Sequence, residues 1–200
     1  LATCIDLLGA GRPPLIVDSP LGDRSRSRKK LHEWLRTSGI PKSIQFAGDE
    51  IAIAPAVKWW ILHPSLGYDA GVADEKALVI RLDTQGARIL FLSDSGPDTF
   101  RHLLGTQSGE LAADILVLGH HHSGIPPDAA FIDAVRPSLI VVTRQSEFRG
   151  HQQIDPDWVN MLHNRGISLF RQDETGAVHI RVSQAGYEAE GFLSGQKFPD

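Results

Sequence analysis

Residues 114–124 read DILVLGHHHSG. Ile115, Leu116, Val117 and Leu118 form a short apolar run of the kind that lies buried on both faces of a parallel sheet. The run leads straight into His120, His121 and His122. A buried strand is rigid, and its C-terminal end delivers the next side chains to the rim of the sheet, where sites in α/β proteins are built. Imidazole nitrogens ligate zinc, manganese and iron. Three adjacent histidines point in different directions, so at most two face one site. The stretch therefore predicts a metal or catalytic rim, against the plainer reading of a solvent-facing polar loop.

Working outward, the upstream run KALVIRLDTQGARILFLSD gives two β-rich segments joined across Asp83, Thr84, Gln85 and Gly86, a hairpin signal. Its second strand ends at Asp94, followed by Ser95 and Gly96. By itself Asp94 reads as the cap of the next helix. Beside a histidine cluster it reads as a metal ligand, because a carboxylate and imidazoles at neighbouring strand ends suit a divalent cation. Downstream, SLIVVT is a further strand, and His151 comes after it in the polar segment FRGHQQ. Arg171 and Asp173, after ISLF, repeat the pattern of strand then polar residues; their plainer reading is a salt-bridged turn.

The remaining chain alternates helix and strand. LATCIDLLGAG reads as the end of a helix, PPLIVDSP as a short strand, and RSRSRKKLHEWLRTSG as a helix with Leu31, Trp34 and Leu35 on one face. The basic run of residues 24–30 reads first as a solvated turn and second as a phosphate-facing patch. SIQFAGDEIAIAP predicts a hairpin around Gly48 and Asp49, VKWWILHP a strand with Trp59 and Trp60 in the core, and ISLFRQDETGAVHIRV a last hairpin around residues 174–176. PDTFRHLLG, PPDAAFIDAVRP and DPDWVNMLHNRG read as helices, the third with Asp155 as cap and Pro156 at its first position. His63 ends a strand. His32, His102, His163 and His179 read as surface or rim residues. The pattern suggests a single domain over residues 1–200, a sheet covered by helices.

Composition limits function. A hydrophobic fraction of 42% and a charged fraction of 22% suit a soluble globular protein. No apolar run approaches the ~20 residues of a membrane span. A net charge of −4 argues against a generally basic, DNA-coating surface. Cys4 is the single cysteine, so no intrachain disulfide forms. There is no glycine-rich phosphate loop with lysine and no GxSxG elbow.

Taken in order, these segments resemble the C-terminal metallo-β-lactamase-like domain of the ComEC family of DNA-uptake competence proteins. LRTSGIPKSIQFAGDEIAI and WWILHP resemble the family's Gly-Ile-Pro, Ala-Gly-Asp and Leu-His-Pro series. ADEKALVIRL resembles its Asn-Asp-x-Ser-Leu-Val strand, with Asp74 and Glu75 at the polar pair. ILFLSD resembles Leu-Leu-Thr-Gly-Asp, with Ser93 where glycine is usual. GHHHSG resembles Gly-His-His-Gly-Ser, with His122 in place of glycine. FRGHQQ keeps His151 of Tyr-Gly-His-Pro, and LFRQDETGAV resembles Tyr-Arg-Thr-Asp-x-x-Gly-Ala-Ile. The family's His-x-His-x-Asp-His motif is absent. LATCIDLL resembles the family segment directly after that motif, so the expectation is a domain truncated at its N-terminus.

The resemblance implies a four-layer α/β/β/α metallo-β-lactamase-like sandwich and a divalent metal, manganese or zinc, with two ions in the complete domain and no small-molecule cofactor. It implies phosphodiester hydrolysis of single-stranded DNA beside a membrane channel of the same full-length protein at the bacterial inner membrane, this piece itself being soluble. Asp94, His120 and His121 are then the metal ligands. His151 and His121 are the catalytic groups, with His151 as proton donor to the leaving oxygen. His122, Ser123 and Arg171 contact substrate. With so few ligands, the piece is expected to bind metal weakly and to cleave DNA poorly or not at all. The alternative is a non-catalytic, degenerate scaffold or DNA-binding part of the same uptake system; a hydrolase for small esters or lactams fits the segments less well.

Overall fold

The computed structural model describes residues 11, 13–20, 22, 26–69, 71–119, 124–143 and 154–199. The first expected helix, LATCIDLLGAG, lies almost wholly outside them. Strand β1 (Ile16–Asp18) pairs in parallel with β2 (Lys42–Ile44). Helix α1 (Arg26–Ser38) connects them and turns Leu35 inward.

The hairpin expected around Gly48 and Asp49 does not form. β2 is committed to β1, and the turn at 46–49 lays the chain across the end of a later strand. Ala47 N–H donates to the Pro64 carbonyl (2.8 Å) and Gly48 N–H to the Ile61 carbonyl (2.9 Å). The Asp49 carboxylate closes the turn by accepting from Phe46 N–H (2.8 Å). The hairpin sits one strand later, between β3 (Glu50–Ala54) and β4 (Val57–His63), where Ala56 takes a positive φ of 61°.

β4 continues antiparallel to β5 (Val79–Asp83), which pairs with β6 (Arg88–Phe91) as the sequence predicts. From β6 onward the sheet is parallel: β7 (Ile115–Leu118), β8 (Leu139–Val142) and β9 (Ser168–Arg171) come next in spatial order. Helices α2 (Pro97–Thr106), α3 (Ala129–Val135) and α4 (Pro156–Asn164) make the crossovers. Asp155 and Pro156 start α4 as read from sequence, with the Asp155 carboxylate accepting from Asp157 N–H. Asp128 caps α3 in the same way, through Phe131 N–H.

Alternation along the parallel strands defines the layers, because successive side chains face opposite sides of a sheet. Leu90, Leu116, Leu118 and Ile140 face the helices and join Leu103, Phe131 and Trp158 in one core. Ile89, Ile115, Leu139 and Val141 face the other way, with Phe170. Their partner is a second, three-stranded sheet of β10 (Val178–Ser183), β11 (Gly186–Gly191) and β12 (Lys197–Phe198). Val178, Ile180, Ala189, Tyr187 and Phe198 supply its inner face. Fully burying one such side chain contributes about 1.5–3 kcal/mol.

The last expected hairpin is therefore also corrected. β9 and β10 lie in different sheets. Between them residues Gln172–Thr175 form one helical turn, tied by the Thr175 hydroxyl to the Arg171 carbonyl (2.9 Å). A second tie joins the two sheets at Gly86, where a Cβ would stand 1.7 Å from the Ser183 carbonyl oxygen, so only glycine allows the approach. The result is a mixed α/β fold of helices, large sheet and small sheet in sequence. This is the mixed α/β class that the sequence predicts, with one face of the large sheet under helices and the other under the small sheet.

Candidate functional site

Because β6, β7, β8 and β9 run parallel, their C-terminal ends share one edge of the large sheet. Asp94 comes after β6, Gly119 and His120 after β7, and Thr143 after β8, while Arg171 closes β9. β6 and β7 are neighbours, so the strand end before Asp94 lies beside the strand end that precedes the histidine run in sequence. His120, His121, His122, Ser123 and His151 themselves lie outside the described residues.

The β6 and β7 ends are locked together. Leu92 N–H donates to the Val117 carbonyl (2.9 Å), and Gly119 N–H donates to the Ser93 carbonyl (2.8 Å). A Cβ built on Gly119 would meet the Ser93 oxygen at 2.0 Å and Asp94 Oδ1 at 2.7 Å. The Asp94 carboxylate thus lies directly against the residue that precedes His120. Ser93 adopts φ 51°, a left-handed conformation that costs a side-chain-bearing residue about 1–2 kcal/mol. The glycine usual at this place in the resembled family is what that backbone favours. Asp94 is solvent-exposed.

The turn after Asp94 is held from below by a residue whose role was not read from sequence. Glu75 sits in a 3-10 turn (Asp74–Lys76) and is only 3% exposed. Its carboxylate accepts from Gly96 N–H (3.2 Å), Asp98 N–H (3.3 Å), Thr99 N–H (2.8 Å) and the Thr99 hydroxyl (2.6 Å). Gly96 and Pro97 offer no side-chain cap to α2. Glu75 supplies one across 21 or more positions of sequence, which fixes where the helix starts and where the preceding Asp94 turn must stop. Burial pushes the Glu75 carboxyl pKa upward, but the hydrogen bonds from Thr99, Asp98 and Gly96 outweigh it, and the net displacement is downward.

His63 completes this support. It is fully buried, and its Nε2 is 2.8 Å from the Glu75 carbonyl oxygen. Tyr68 and His102 pack edge-on around its ring, at 4.5 and 5.5 Å between centroids, and His102 meets the Ser65 hydroxyl at 3.1 Å. Burial drives the His63 pKa down to about 4, so the ring is neutral at ordinary pH. The only hint in the sequence was the His-Pro pair at a strand end.

Arg171 pairs with Asp173 (2.9 Å) and Glu174 (2.5 Å), which is the salt-bridged turn of its plainer reading. Arg171 Nε and Asp173 Oδ1 are nonetheless buried without a hydrogen-bond partner among the described residues, at the same sheet edge as Asp94. Asp94 is a sound oxygen donor for a divalent cation by position and chemistry. No cluster of three or more potential ligands occurs among the described residues.

Competence protein ComA of Neisseria gonorrhoeae is 30% identical over 116 residues, which are 58% of this chain and 16% of that protein. Over that stretch the chain is similar to a competence protein. It spans about a sixth of the length of this competence relative. No family model matches the chain. Among solved structures, a mutant of CmlA β-hydroxylase aligns with a TM-score of 0.46 and 13% identity, over 70% of this chain and 34% of that one. No helix among the described residues is long and apolar enough to cross a membrane.

Proposed function

We propose that residues 1–200 form one metallo-β-lactamase-like unit, a metal-dependent phosphodiesterase of a DNA-uptake protein that works beside a membrane channel at the bacterial inner membrane. One observation carries the reading: the Asp94 carboxylate is packed against Gly119, at the ends of adjacent parallel strands, one residue before the histidine run. Similarity to a competence protein points to DNA as the substrate. In this assignment Asp94, His120 and His121 hold a divalent cation, manganese or zinc. A cation held there would supply a more acidic bound water and offset phosphate charge. His151 gives a proton to the leaving oxygen, and His122, Ser123 and Arg171 hold the strand.

The test is a titration of Mn2+ into the wild-type chain and Asp94→Asn, read by calorimetry and by loss of a labelled single-stranded oligonucleotide. The chain's own donors are expected to bind weakly, above the micromolar range. Removing the Asp94 carboxylate should weaken binding by roughly tenfold or more, since even outer-shell groups contribute that much. Equal Mn2+ binding and equal DNA loss in the two proteins would overturn the assignment. Preferential turnover of a small aryl ester would point to another hydrolase of this fold.

A further inference from the structure

Charge in this chain is segregated. Residues 26–44 contain Arg26, Arg28, Lys29, Lys30, Arg36 and Lys42 against Glu33 alone, a formal +5 in a protein whose total is −4. Glu33 is taken up by Arg36 at 2.5 Å. Among the described residues, the Asp18 carboxylate, 14% exposed, already meets Arg28 (2.9 Å), His32 (2.9 Å) and Lys42 (3.5 Å). Arg26, Lys29 and Lys30 remain exposed on α1. They stand at the i, i+3, i+4 spacing that places them on one face.

This arrangement does not serve the helix. Cations in the first turn oppose the macrodipole, and like charges at that spacing repel. α1 has no acidic residue in its first turn to relieve either effect. An anionic partner would relieve both. The opposite face holds Leu31, Trp34 and Leu35, of which Leu35 is buried and the other two half-buried. The helix therefore has no free apolar face to insert into a lipid surface. A polyanion read through its phosphates fits better.

We propose that Arg26, Lys29 and Lys30 of α1 form a docking surface for the phosphate backbone of the DNA strand. The surface rests on the reading that DNA is the substrate, and it adds where the strand is gripped away from the strand-end site. It is sequence-independent, because no base-reading geometry is involved.

The experiment is fluorescence anisotropy with a labelled single-stranded 20-mer across a salt series, in EDTA so that no hydrolysis occurs. Wild type is compared with Arg26→Glu/Lys29→Glu/Lys30→Glu, the matching triple glutamine variant, and Lys197→Glu as a control cation elsewhere. The glutamate triple should bind at least tenfold more weakly. Its plot of log K against log salt should be shallower by about 2, from a slope near 0.7 per phosphate contact on a single strand. The glutamine triple should fall between, and Lys197→Glu should match wild type. Circular dichroism spectra and melting temperatures like those of wild type show that the variants are folded.

Binding within twofold of wild type and an unchanged slope in the glutamate triple would overturn the proposal. So would wild-type binding to phosphatidylserine vesicles without binding to the oligonucleotide. Wild type that fails to bind the oligonucleotide in EDTA while Asp94→Asn still weakens Mn2+ binding refutes the surface alone; wild type that binds it while Asp94→Asn leaves Mn2+ binding unchanged refutes the strand-end metal site alone.

Discussion

Glu75→Ala should be the most damaging single truncation beneath the candidate site. The side chain is 3% exposed, and four donors converge on its carboxylate: the N–H groups of Gly96, Asp98 and Thr99 and the Thr99 hydroxyl. Losing a helix cap costs about 1 kcal/mol. Leaving buried donors without their charged acceptor adds about 1–3 kcal/mol, offset in part by sparing the carboxylate its desolvation. The expected loss is about 3 kcal/mol. With a urea dependence of about 2–3 kcal/mol/M, the unfolding midpoint should fall by about 1 M. Glu75→Gln keeps the shape but turns an NH2 toward backbone donors, and should lose about half as much. The carboxyl pKa is held below its ordinary 4.5 in the folded protein, so its contribution is complete above that value and is lost as pH falls through the lower, folded one. The assay is urea denaturation by circular dichroism at pH 7 and at successively lower pH below 4.5, where the gap between wild type and the alanine variant should narrow. A loss below 1 kcal/mol at pH 7 for Glu75→Ala would refute the cap.

Three further outcomes are expected. The His63 imidazole takes its proton below about 6.5 when unfolded but only near 4 when folded. Stability should thus be complete above pH 6.5 and drain away toward pH 4, by on the order of 3 kcal/mol, and this slope should vanish in His63→Asn; a flat wild-type profile in urea midpoints would refute it. Gly119→Ala should destabilise by about 1–3 kcal/mol, because the new methyl must displace the Ser93 carbonyl and Asp94, and an unchanged midpoint would contradict the close approach. Ser93→Gly should raise stability by up to about 1 kcal/mol through relief of its left-handed backbone, read as a higher midpoint.

The parts legible in sequence were those decided locally. Thr84, Gln85 and Gly86 announced the β5–β6 hairpin, and the apolar runs ending at Leu118 and Val142 announced buried parallel strands. Their order along the chain also brings Asp94 against Gly119, the end of the strand before the histidine run. Partner choice was not legible. SIQF and EIAI alternate well enough to pair with each other, yet β2 was already taken by β1. Likewise ISLF and AVHI flank a turn, but a tie between Thr175 and Arg171 sends them into separate sheets. Glu75 and His63 were missed for a related reason: a buried cap supplied from far along the chain, and an imidazole enclosed by Tyr68 and His102, leave no periodic trace.

The small sheet has a consequence for how the protein is made. Every strand of the large sheet precedes β10 in the chain, so the ribosome delivers the whole large sheet before the layer that covers one side of it. Ile89, Ile115, Leu139, Val141 and Phe170 then wait in water until residues 178–198 are made, about one to four seconds at ordinary elongation rates. During that interval the nascent chain is a target for chaperones and for self-association, and a stop codon near Val178 would make the exposure permanent.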